Sequence, residues 1–256
     1  MNNNFVCINP GAKIGANVEI GPFTTIDDNV EIGDGCRIGS NVTIFSGARI
    51  GKNVTIFPGA VISAIPQDLK FRGEDTQAFI GDNTVLRECV TVNRGTAAKG
   101  RTVVGSNCLI MAYSHVAHDC IVGNNVIISN ATQLAGEVEV DDFAVIGGGS
   151  LVHQFCHIGA HVMLQGGALV NKDIPPYVKA AREPISYTGI NTIGLHRRGF
   201  SSEAIARIQD IYRILYASGL NVTEAIARIE AEMEPTAERD FILSFIRNSQ
   251  RGIIRG

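Results

Sequence analysis

Residues 14–44 read IGANVEIGPFTTIDDNVEIGDGCRIGSNVTI, and isoleucine returns at every sixth position of this stretch. The same phase extends from position 8 to position 170, where 25 of the 28 sixth positions hold Val, Ile or Leu. Neither the 3.6-residue period of a helix nor the two-residue alternation of an ordinary strand keeps this spacing. A six-residue period is typical of a solenoid in which each repeat contains a short strand and a turn.

Three such repeats make one triangular coil of about 18 residues, and stacked coils pair their backbone groups with the coils above and below. A smaller side chain follows four residues after each aliphatic one, as at Val18, Val30 and Cys36, which indicates a second inward position. Glycine or asparagine, such as Asn53, often lies between the two, where a corner requires a positive φ. We therefore predict an all-β, left-handed parallel β-helix of hexapeptide repeats over residues 1–176.

Two stretches interrupt the repeat. They are predicted to be loops at 63–79, which contains Pro66-Gln67-Asp68-Leu69-Lys70, and at 93–103. Long insertions in a regular solenoid are usually functional or disordered. We interpret the first loop as functional.

The repeat stops at Asp173-Ile174-Pro175-Pro176, and residues 177–256 are predicted to form a connector and an α-helical C-terminal domain. Ser201 or Ser202 is suited to cap a first helix that ends at Ser218-Gly219, and Pro235 is suited to start a third. The side chains expected to be buried are Ile205, Ile208, Tyr212 and Leu215 in the first helix, Ala225, Ile226, Ile229 and Met233 in the second, and Phe241, Ile242, Phe245 and Ile246 in the third.

Composition limits the classes of function. The chain has 256 residues, 45% hydrophobic content and a formal net charge of −3, so it can bury a sizeable core and has no bias toward nucleic acid. The first residues lack the basic and apolar segments of a signal peptide, and no apolar run reaches the roughly 18 residues that span a bilayer. We expect a cytoplasmic protein without a transmembrane segment.

The six cysteines contain no Cys-x-x-Cys pair and are too widely spread for a small disulfide framework. Four of them, Cys36, Cys108, Cys120 and Cys156, occupy the smaller inward position of the repeat. We expect these four to fill the core rather than to perform redox or metal chemistry.

The stacking of coils is predicted to gather polar residues at one corner. Positions one coil apart lie about 4.8 Å from each other along the axis, so His118 is expected to lie under Gly136. Three consecutive coils would bring together His115, His118, Asp119, Gln133, Gly136, Glu137, His153 and Gln154. All of them stand off the inward aliphatic positions, which predicts a polar patch on the outside of an apolar prism.

Three interpretations of this patch compete. The residues are solvated surface groups, or they form a site in which His118 beside Asp119 is a general base and the Gly136 N–H stabilises an oxyanion. The third is a metal site in which His115 and His118 act with His153 and His157, contributed by two chains. Clustering of titratable groups favours the general base.

Several further segments identify a family. They are His115-Val116-Ala117-His118-Asp119-Cys120, Val152-His153-Gln154-Phe155-Cys156, Ile158-Gly159-Ala160-His161-Val162-Met163, Asp173-Ile174-Pro175-Pro176-Tyr177-Val178, Gly194-Leu195-His196-Arg197-Arg198-Gly199-Phe200 and Gln67-Asp68-Leu69-Lys70. In this order, and followed by a helical cap, they resemble the UDP-N-acetylglucosamine O-acyltransferases that open lipid A biosynthesis. The resemblance covers nearly the whole chain.

The resemblance implies a homotrimer with active sites in clefts between adjacent prisms. His118 would deprotonate the glucosamine 3-hydroxyl of UDP-N-acetylglucosamine, which attacks the thioester carbonyl of a (R)-3-hydroxyacyl acyl carrier protein. Asp119 would support the histidine, and the Gly136 amide would hold the oxyanion. No metal and no cofactor beyond the carrier thioester is implied.

The resemblance also implies binding roles. Residues that match sugar-nucleotide or cleft positions are Gln67, Asp68, Lys70, His115, His153, Gln154, Asn191 and Arg197. Gly166 matches the position that measures acyl-chain length. Because acyl carrier proteins are acidic, we expect them to dock on basic residues, and those near the mouth of the cleft are Lys172, Lys179, Arg182, Arg197 and Arg198.

Three residues depart from the family pattern. Glu137 and Asn93 stand where histidine is frequent, and Ile193 stands where glutamate is frequent. Two other enzymes share the repeat: a γ-type carbonic anhydrase, and the N-acyltransferase of the same pathway, whose extra N-terminal domain finds no room before Ile8. A structural scaffold without turnover is the non-enzymatic alternative.

Overall fold

The structure is a computed structural model that describes residues 5–256, in which 27 short strands and four helices follow one another. The strands form three parallel faces of a triangular prism, the predicted left-handed parallel β-helix. The first face contains β1 (Cys7–Ile8), β4 (Thr25–Ile26), β7 (Thr43–Ile44), β10 (Val61–Ala64), β13 (Thr91–Asn93), β16 (His115–Val116), β19 (Gln133–Leu134), β22 (Leu151–Val152) and β25 (Leu169–Val170). The second contains β2 (Lys13–Ile14), β5 (Glu31–Ile32), β8 (Ala48–Ile50), β11 (Gln77–Ile80), β14 (Arg101–Val104), β17 (Ile121–Val122), β20 (Glu139–Val140) and β23 (His157–Ile158). The third contains β3 (Glu19–Ile20), β6 (Arg37–Ile38), β9 (Thr55–Ile56), β12 (Val85–Leu86), β15 (Leu109–Ile110), β18 (Ile127–Ile128), β21 (Val145–Ile146), β24 (Met163–Leu164), β26 (Val178–Ala181) and β27 (Ser186–Ile190).

The core is the axis of this prism. The second residue of almost every strand is the repeated aliphatic, and Ile44, Ile62, Leu134 and Ile146 are completely buried there. Burying one such side chain stabilises the fold by roughly 1.5–3 kcal/mol, so the six-residue repeat contributes along the whole length of the prism. Isoleucine at this position also suits the extended backbone, because β-branched side chains favour strands.

Asparagine at the corners explains how the chain turns so tightly. Asn17, Asn41 and Asn53 have φ between 54° and 56°, the left-handed conformation that asparagine tolerates better than most residues. The predicted positive φ at the corners is therefore confirmed.

The predicted core role of the cysteines is also confirmed. Cys36, Cys108, Cys120 and Cys156 are buried and unpaired. Burial raises the pKa of the Cys120 thiol to about 12, and its Sγ donates to the Ala135 carbonyl at 3.1 Å. Such a thiol is unreactive near neutral pH.

We name the three edges of the prism by the faces they join. The first corner joins the first face to the second, the second corner joins the second face to the third, and the third corner joins the third face back to the first. The two insertions run over 65–76 and 94–100, because β10 and β11 extend into the predicted 63–79 and β13 and β14 into the predicted 93–103. Each insertion leaves a strand of the first face and enters one of the second, so both lie at the first corner.

The stretch beyond residue 176 continues the prism before it becomes helical. β26 pairs in parallel with β24, and β27 returns antiparallel beside it, so the predicted connector is largely a β-hairpin added to the third face. Strands of four or five residues have too few alternating positions to be recognised in a sequence dominated by a six-residue repeat.

Four helices follow: α1 (Thr192–Arg197), α2 (Ser202–Ala217), α3 (Val222–Glu232) and α4 (Ala237–Asn248). The predicted cap of α2 is confirmed, since the Ser201 hydroxyl accepts from the Ala204 N–H at 3.2 Å. The predicted start at Pro235 is wrong, because α4 begins two residues later at Ala237, with Thr236 as its N-cap. Phe241, expected inside, is 39% exposed, and Leu243 is buried instead.

The helices pack on the C-terminal end of the prism. The buried Tyr212 hydroxyl donates to the Pro176 carbonyl at 2.6 Å, and the Phe245 ring lies 4.5 Å from the His157 ring. Both contacts join a helix to the last coils. No helix within residues 5–256 has the length and apolar character needed to cross a bilayer.

Candidate active site

The predicted polar stack is present at the first corner and on the adjoining first face. His115 pairs with Gln133 in the strand register, and Gly136 lies directly above the His118 ring. The Glu137 N–H donates to the His118 carbonyl at 3.0 Å, and the Phe155 N–H donates to the Gly136 carbonyl at 3.2 Å. Three successive coils are thereby held in register.

The centre of the stack is a histidine and carboxylate pair. His118 Nδ1 lies 2.9 Å from Asp119 Oδ2, and the His118 side chain is 18% exposed whereas the Asp119 side chain is completely buried. Because a carboxylate can only accept a hydrogen bond, Nδ1 of His118 carries a hydrogen and donates it to Asp119 Oδ2. The lone pair of His118 is then on Nε2, the ring atom available to a substrate.

The buried carboxylate of Asp119 corrects the expectation that the whole patch lies outside the prism. The loop 94–100 covers it and supplies donors: the Thr96 N–H at 3.0 Å and the Lys99 N–H at 3.2 Å reach Oδ1, and the Thr96 hydroxyl reaches Oδ2 at 2.6 Å. Together with His118 Nδ1, these groups make four hydrogen-bond donors to the two carboxylate oxygens of Asp119. These four hydrogen bonds hold the buried carboxylate in one orientation.

Gly136 makes room for the histidine ring. A Cβ built at this position would lie 2.6 Å from both Cε1 and Nε2 of His118, far inside normal contact distance. Any side chain at position 136 would therefore displace the imidazole.

The amide of Gly136 is also available to a ligand. At the second corner, amides at the equivalent position are bound by a side chain one coil further on, as when the Ala16 N–H donates to Asp34 Oδ1 at 2.9 Å and the Asn124 N–H to Asp142 Oδ1 at 2.7 Å. At the first corner the residue one coil above Gly136 is Gln154, which is exposed. Within residues 5–256 the Gly136 N–H has no acceptor, so it is free to stabilise negative charge close to His118 Nε2.

A groove runs from this corner along the first face. Its volume is about 520 Å³, and its floor is formed by outward side chains that include His115, Gln133 and Leu151. His153 and Leu169 extend it, and residues 183–185 form a wall. Polar groups at one end and leucines along its length suit a ligand with a polar head and an apolar chain.

His115 is held within this groove. Its Nδ1 lies 2.7 Å from Thr91 Oγ1, and burial lowers the pKa of the ring, with a further lowering from the neighbouring His118. A neutral His115 can donate or accept a hydrogen bond without adding charge beside the base.

The predicted binding residues of the first loop lie at the same corner. Gln67 and Lys70 are exposed, and Asp68 is half-buried with its Oδ1 accepting from the Lys70 N–H at 2.9 Å. This hydrogen bond stabilises the turn. The Lys70 ammonium forms no ion pair within residues 5–256. His153 and Gln154 are exposed at the upper end of the stack.

Three predicted site residues are not brought to His118 within one chain. Asn191 caps α1, its Oδ1 accepting from Gly194 and its Nδ2 donating to the His161 carbonyl at 2.9 Å, which places it at the second corner. Arg197 is exposed in the last turn of the same helix. Gly166 lies at the third corner, between β24 and β25.

The three departures from the family pattern have distinct environments. Asn93 is buried and donates to the Ile65 carbonyl at 3.1 Å, so it ties the start of the 65–76 loop to the prism. Glu137 follows Gly136 with φ of 61°. Ile193 is 68% exposed on α1.

Sequence reasoning missed two elements of the site. Thr96 stands in the segment Arg94-Gly95-Thr96, but nothing in its spacing indicates that the loop folds back onto Asp119. The wall at residues 183–185 belongs to the hairpin that the repeat did not predict. No group of three or more His, Cys, Asp or Glu suited to a metal ion occurs within residues 5–256.

Known proteins match this chain along its whole length. A family model described as UDP-N-acetylglucosamine O-acyltransferase, domain 2, matches residues 173–254, and one described as bacterial transferase hexapeptide matches 11–46 and 101–136. An acyl-[acyl-carrier-protein]–UDP-N-acetylglucosamine O-acyltransferase of Thiobacillus denitrificans is 50% identical over 249 residues, 97% of this chain and 96% of the relative. The chain belongs to this O-acyltransferase family.

Solved structures of the O-acyltransferase family agree. The UDP-N-acetylglucosamine acyltransferase of Bacteroides fragilis superposes with a TM-score of 0.98 at 58% identity over 100% of both chains. That of Francisella novicida superposes with a TM-score of 0.95 at 40% identity, covering 98% of this chain and 93% of the other. Membership of the O-acyltransferase family decides against the carbonic anhydrase, the N-acyltransferase and the scaffold.

Proposed function

We propose that this chain transfers a (R)-3-hydroxyacyl group from acyl carrier protein to the 3-hydroxyl of UDP-N-acetylglucosamine, the first step of lipid A biosynthesis. The observation that carries the proposal is the pair formed by His118 and the buried, fully hydrogen-bonded Asp119 beneath a free amide at Gly136. Relatives that match almost end to end are named for O-acyl transfer from acyl carrier protein to UDP-N-acetylglucosamine.

The geometry supports a direct transfer. His118 Nε2 takes the proton of the sugar 3-hydroxyl as its oxygen attacks the thioester carbonyl. The carbonyl oxygen becomes negatively charged and accepts from the Gly136 N–H. Collapse breaks the carbon–sulfur bond, and the departing thiolate receives the proton from His118. Protons and charge balance within this cycle, and the carrier thioester is the only co-substrate required.

We further propose that the sites are completed in a homotrimer. Asn191 and Arg197 lie at the second corner, whereas the groove lies on the first face. A neighbouring copy that sets its second corner against this face would bring both residues to the sugar nucleotide. In this arrangement Gln67, Asp68, Lys70, His115, His153 and Gln154 bind the acceptor from the first chain.

The groove fits the acyl part of the donor. The first face lies between the corner of His118 and the corner of Gly166, and Leu151 and Leu169 expose about half of their surface on it. Ala112 is at the third corner, six residues before His118 in the chain. Gly166 lies three coils above Ala112, a rise of roughly 14 Å along the axis. An acyl chain extended along the groove would therefore end near Gly166, which we propose measures its length.

The reaction takes place in the cytoplasm in this proposal. All six cysteines are unpaired, which is usual in a reducing compartment. No cofactor enters the proposed cycle.

Removal of the base tests the proposal. Purified wild type should convert UDP-N-acetylglucosamine with a 3-hydroxyacyl carrier thioester, and His118→Ala should lose roughly 10²–10⁴-fold in kcat, the usual contribution of a positioned base. Gln209→Ala, at an exposed residue on α2 outside the proposed site, is the control and should keep wild-type kcat. A folded His118→Ala protein with more than about a tenth of wild-type activity would overturn the assignment.

A further inference from the structure

The loop 94–100 is fastened to the prism on both sides of Thr96. The Gly95 N–H donates to the Gln77 carbonyl at 3.1 Å, and the Gln77 N–H donates to the Gly100 carbonyl at 3.1 Å. A Cβ at Gly95 would lie 2.2 Å from the Arg101 nitrogen, so only glycine permits this close approach. Thr96 is 7% exposed and therefore has a fixed position against Asp119.

The direction of the Thr96 hydroxyl hydrogen bond follows from its two partners. The Ala98 N–H donates to Thr96 Oγ1 at 3.2 Å, so this oxygen acts there as an acceptor. Carboxylate oxygens accept hydrogen bonds, so in the 2.6 Å contact the Thr96 hydroxyl donates to Asp119 Oδ2. This oxygen is the one that also receives Nδ1–H of His118.

We propose that Thr96 is a positioning residue for the transfer reaction, acting through Asp119 on the His118 ring. The inference rests on the proposed function. The hydroxyl fixes the rotation of the carboxylate and neutralises part of the charge on Oδ2, so it determines both where the imidazole points and how strongly Asp119 favours the protonated ring. Functional groups of this kind must be held within about 0.5 Å of their working geometry.

Replacing Thr96 by valine replaces the hydroxyl by a methyl group of nearly the same size. A methyl group cannot approach a carboxylate oxygen to 2.6 Å, so Asp119 must shift by roughly half an ångström and lose one donor. The shift moves His118 away from the substrate. The lost donor leaves more charge on Oδ2, which favours the protonated imidazole.

The test compares Thr96→Val with Thr96→Ser in the full-length protein. Thr96→Val should lower kcat about tenfold with KM within about twofold, and should move the acid limb of the pH profile of kcat/KM to higher pH by several tenths of a unit. Thr96→Ser should keep the wild-type profile. Thr84→Val is the matched control, because Thr84 is also buried but its hydroxyl donates to the Gly105 carbonyl at the second corner.

A second measurement separates this inference from the proposed function. The titration midpoint of His118, followed by NMR of ¹⁵N-labelled histidine, should move upward in Thr96→Val even where no acyl transfer is detected. If Thr96→Val does not fold, Thr96→Ala must show the same upward shift. An unchanged midpoint and acid limb, or a Thr96→Ser variant as impaired as Thr96→Val, would overturn the positioning role.

Discussion

Gly136→Ala tests whether the His118 ring needs the space that the missing side chain of Gly136 leaves above it. The added methyl group would lie 2.6 Å from Cε1 and Nε2 of His118 and 3.3 Å from Nδ1. Carbon atoms in contact are normally about 3.5–4.0 Å apart, so the ring must move by roughly 1 Å. The backbone at Gly136 does not require glycine, since its φ is not positive. The substitution therefore acts through the histidine.

A displacement of about 1 Å at a reacting group costs roughly 10²-fold in rate. We expect kcat to fall by about that factor, which corresponds to roughly 2.7 kcal/mol of activation free energy. The ring can move toward solvent, so the free energy of unfolding should decrease by no more than about 1 kcal/mol, the contribution of one hydrogen bond. KM for both substrates should change little, because the groove floor is untouched.

Steady-state kinetics and urea unfolding on the same preparation decide the outcome. Gly11→Ala is the matched control, because its Cβ would meet no atom closer than Asp28 Cβ at 3.3 Å and its φ is not positive. It should behave as wild type. A folded Gly136→Ala protein that keeps more than about a third of wild-type kcat would refute the reasoning.

The remaining predictions concern four further properties. Asp119→Asn should lower kcat by roughly 10²–10⁴-fold and the unfolding free energy by about 1–3 kcal/mol, because an amide NH2 would face donors in a buried site. Reversing the charges of Lys179 and Arg182 should raise KM for the carrier-bound donor and reduce its salt sensitivity through weaker steering. Gly166→Met should shift the preferred donor to a shorter chain, since the side chain blocks the groove at a cost of about 1–3 kcal/mol for longer donors. Burial first, and then Arg198, lowers the pKa of His161 to about 4. This ring therefore contributes stability that is complete above about pH 6.5 and is lost as the pH falls toward 4, so His161→Phe should unfold with less acid dependence.

Each of these has a result that would contradict it. Near-normal kcat in Asp119→Asn would mean that the tautomer is set by another group. An unchanged donor KM at low ionic strength would remove the basic pair from the docking site. A uniform loss across donors of about 10–16 carbons would make Gly166 a structural corner. Equal loss of stability between pH 7 and pH 5 in wild type and His161→Phe would assign the acid dependence to other groups, since the carboxylates are common to both proteins.

The prism was predictable because its signal repeats. One buried aliphatic side chain in every six residues, with asparagine at the corners, is satisfied by a triangular solenoid. The inward position of the cysteines follows because they occur at a fixed position of the same six-residue repeat. The stacking of His118 under Gly136 was predictable from the 18-residue coil alone. These inferences need only local periodicity.

The missed features depend on contacts between segments far apart in sequence. Burial of Asp119 comes from the loop 94–100 folding over it, and no periodic pattern records where a loop folds. The hairpin of β26 and β27 is too short to be predicted from a sequence pattern, and it is stabilised by the pairing of β26 with β24. The burial of Phe241 was mispredicted for a similar reason, because helical spacing indicates which face of a helix is buried but not how wide that buried face is.

The most direct test of the central claim is the identity of the product. Wild-type protein is incubated with UDP-N-acetylglucosamine and a set of 3-hydroxyacyl carrier thioesters, and the nucleotide product is analysed by mass spectrometry and NMR. We predict one added 3-hydroxyacyl group, in ester linkage to the glucosamine 3-oxygen, and no product with His118→Ala. A wild-type protein that folds but forms no acylated nucleotide, or places the acyl group at another position, would contradict the account.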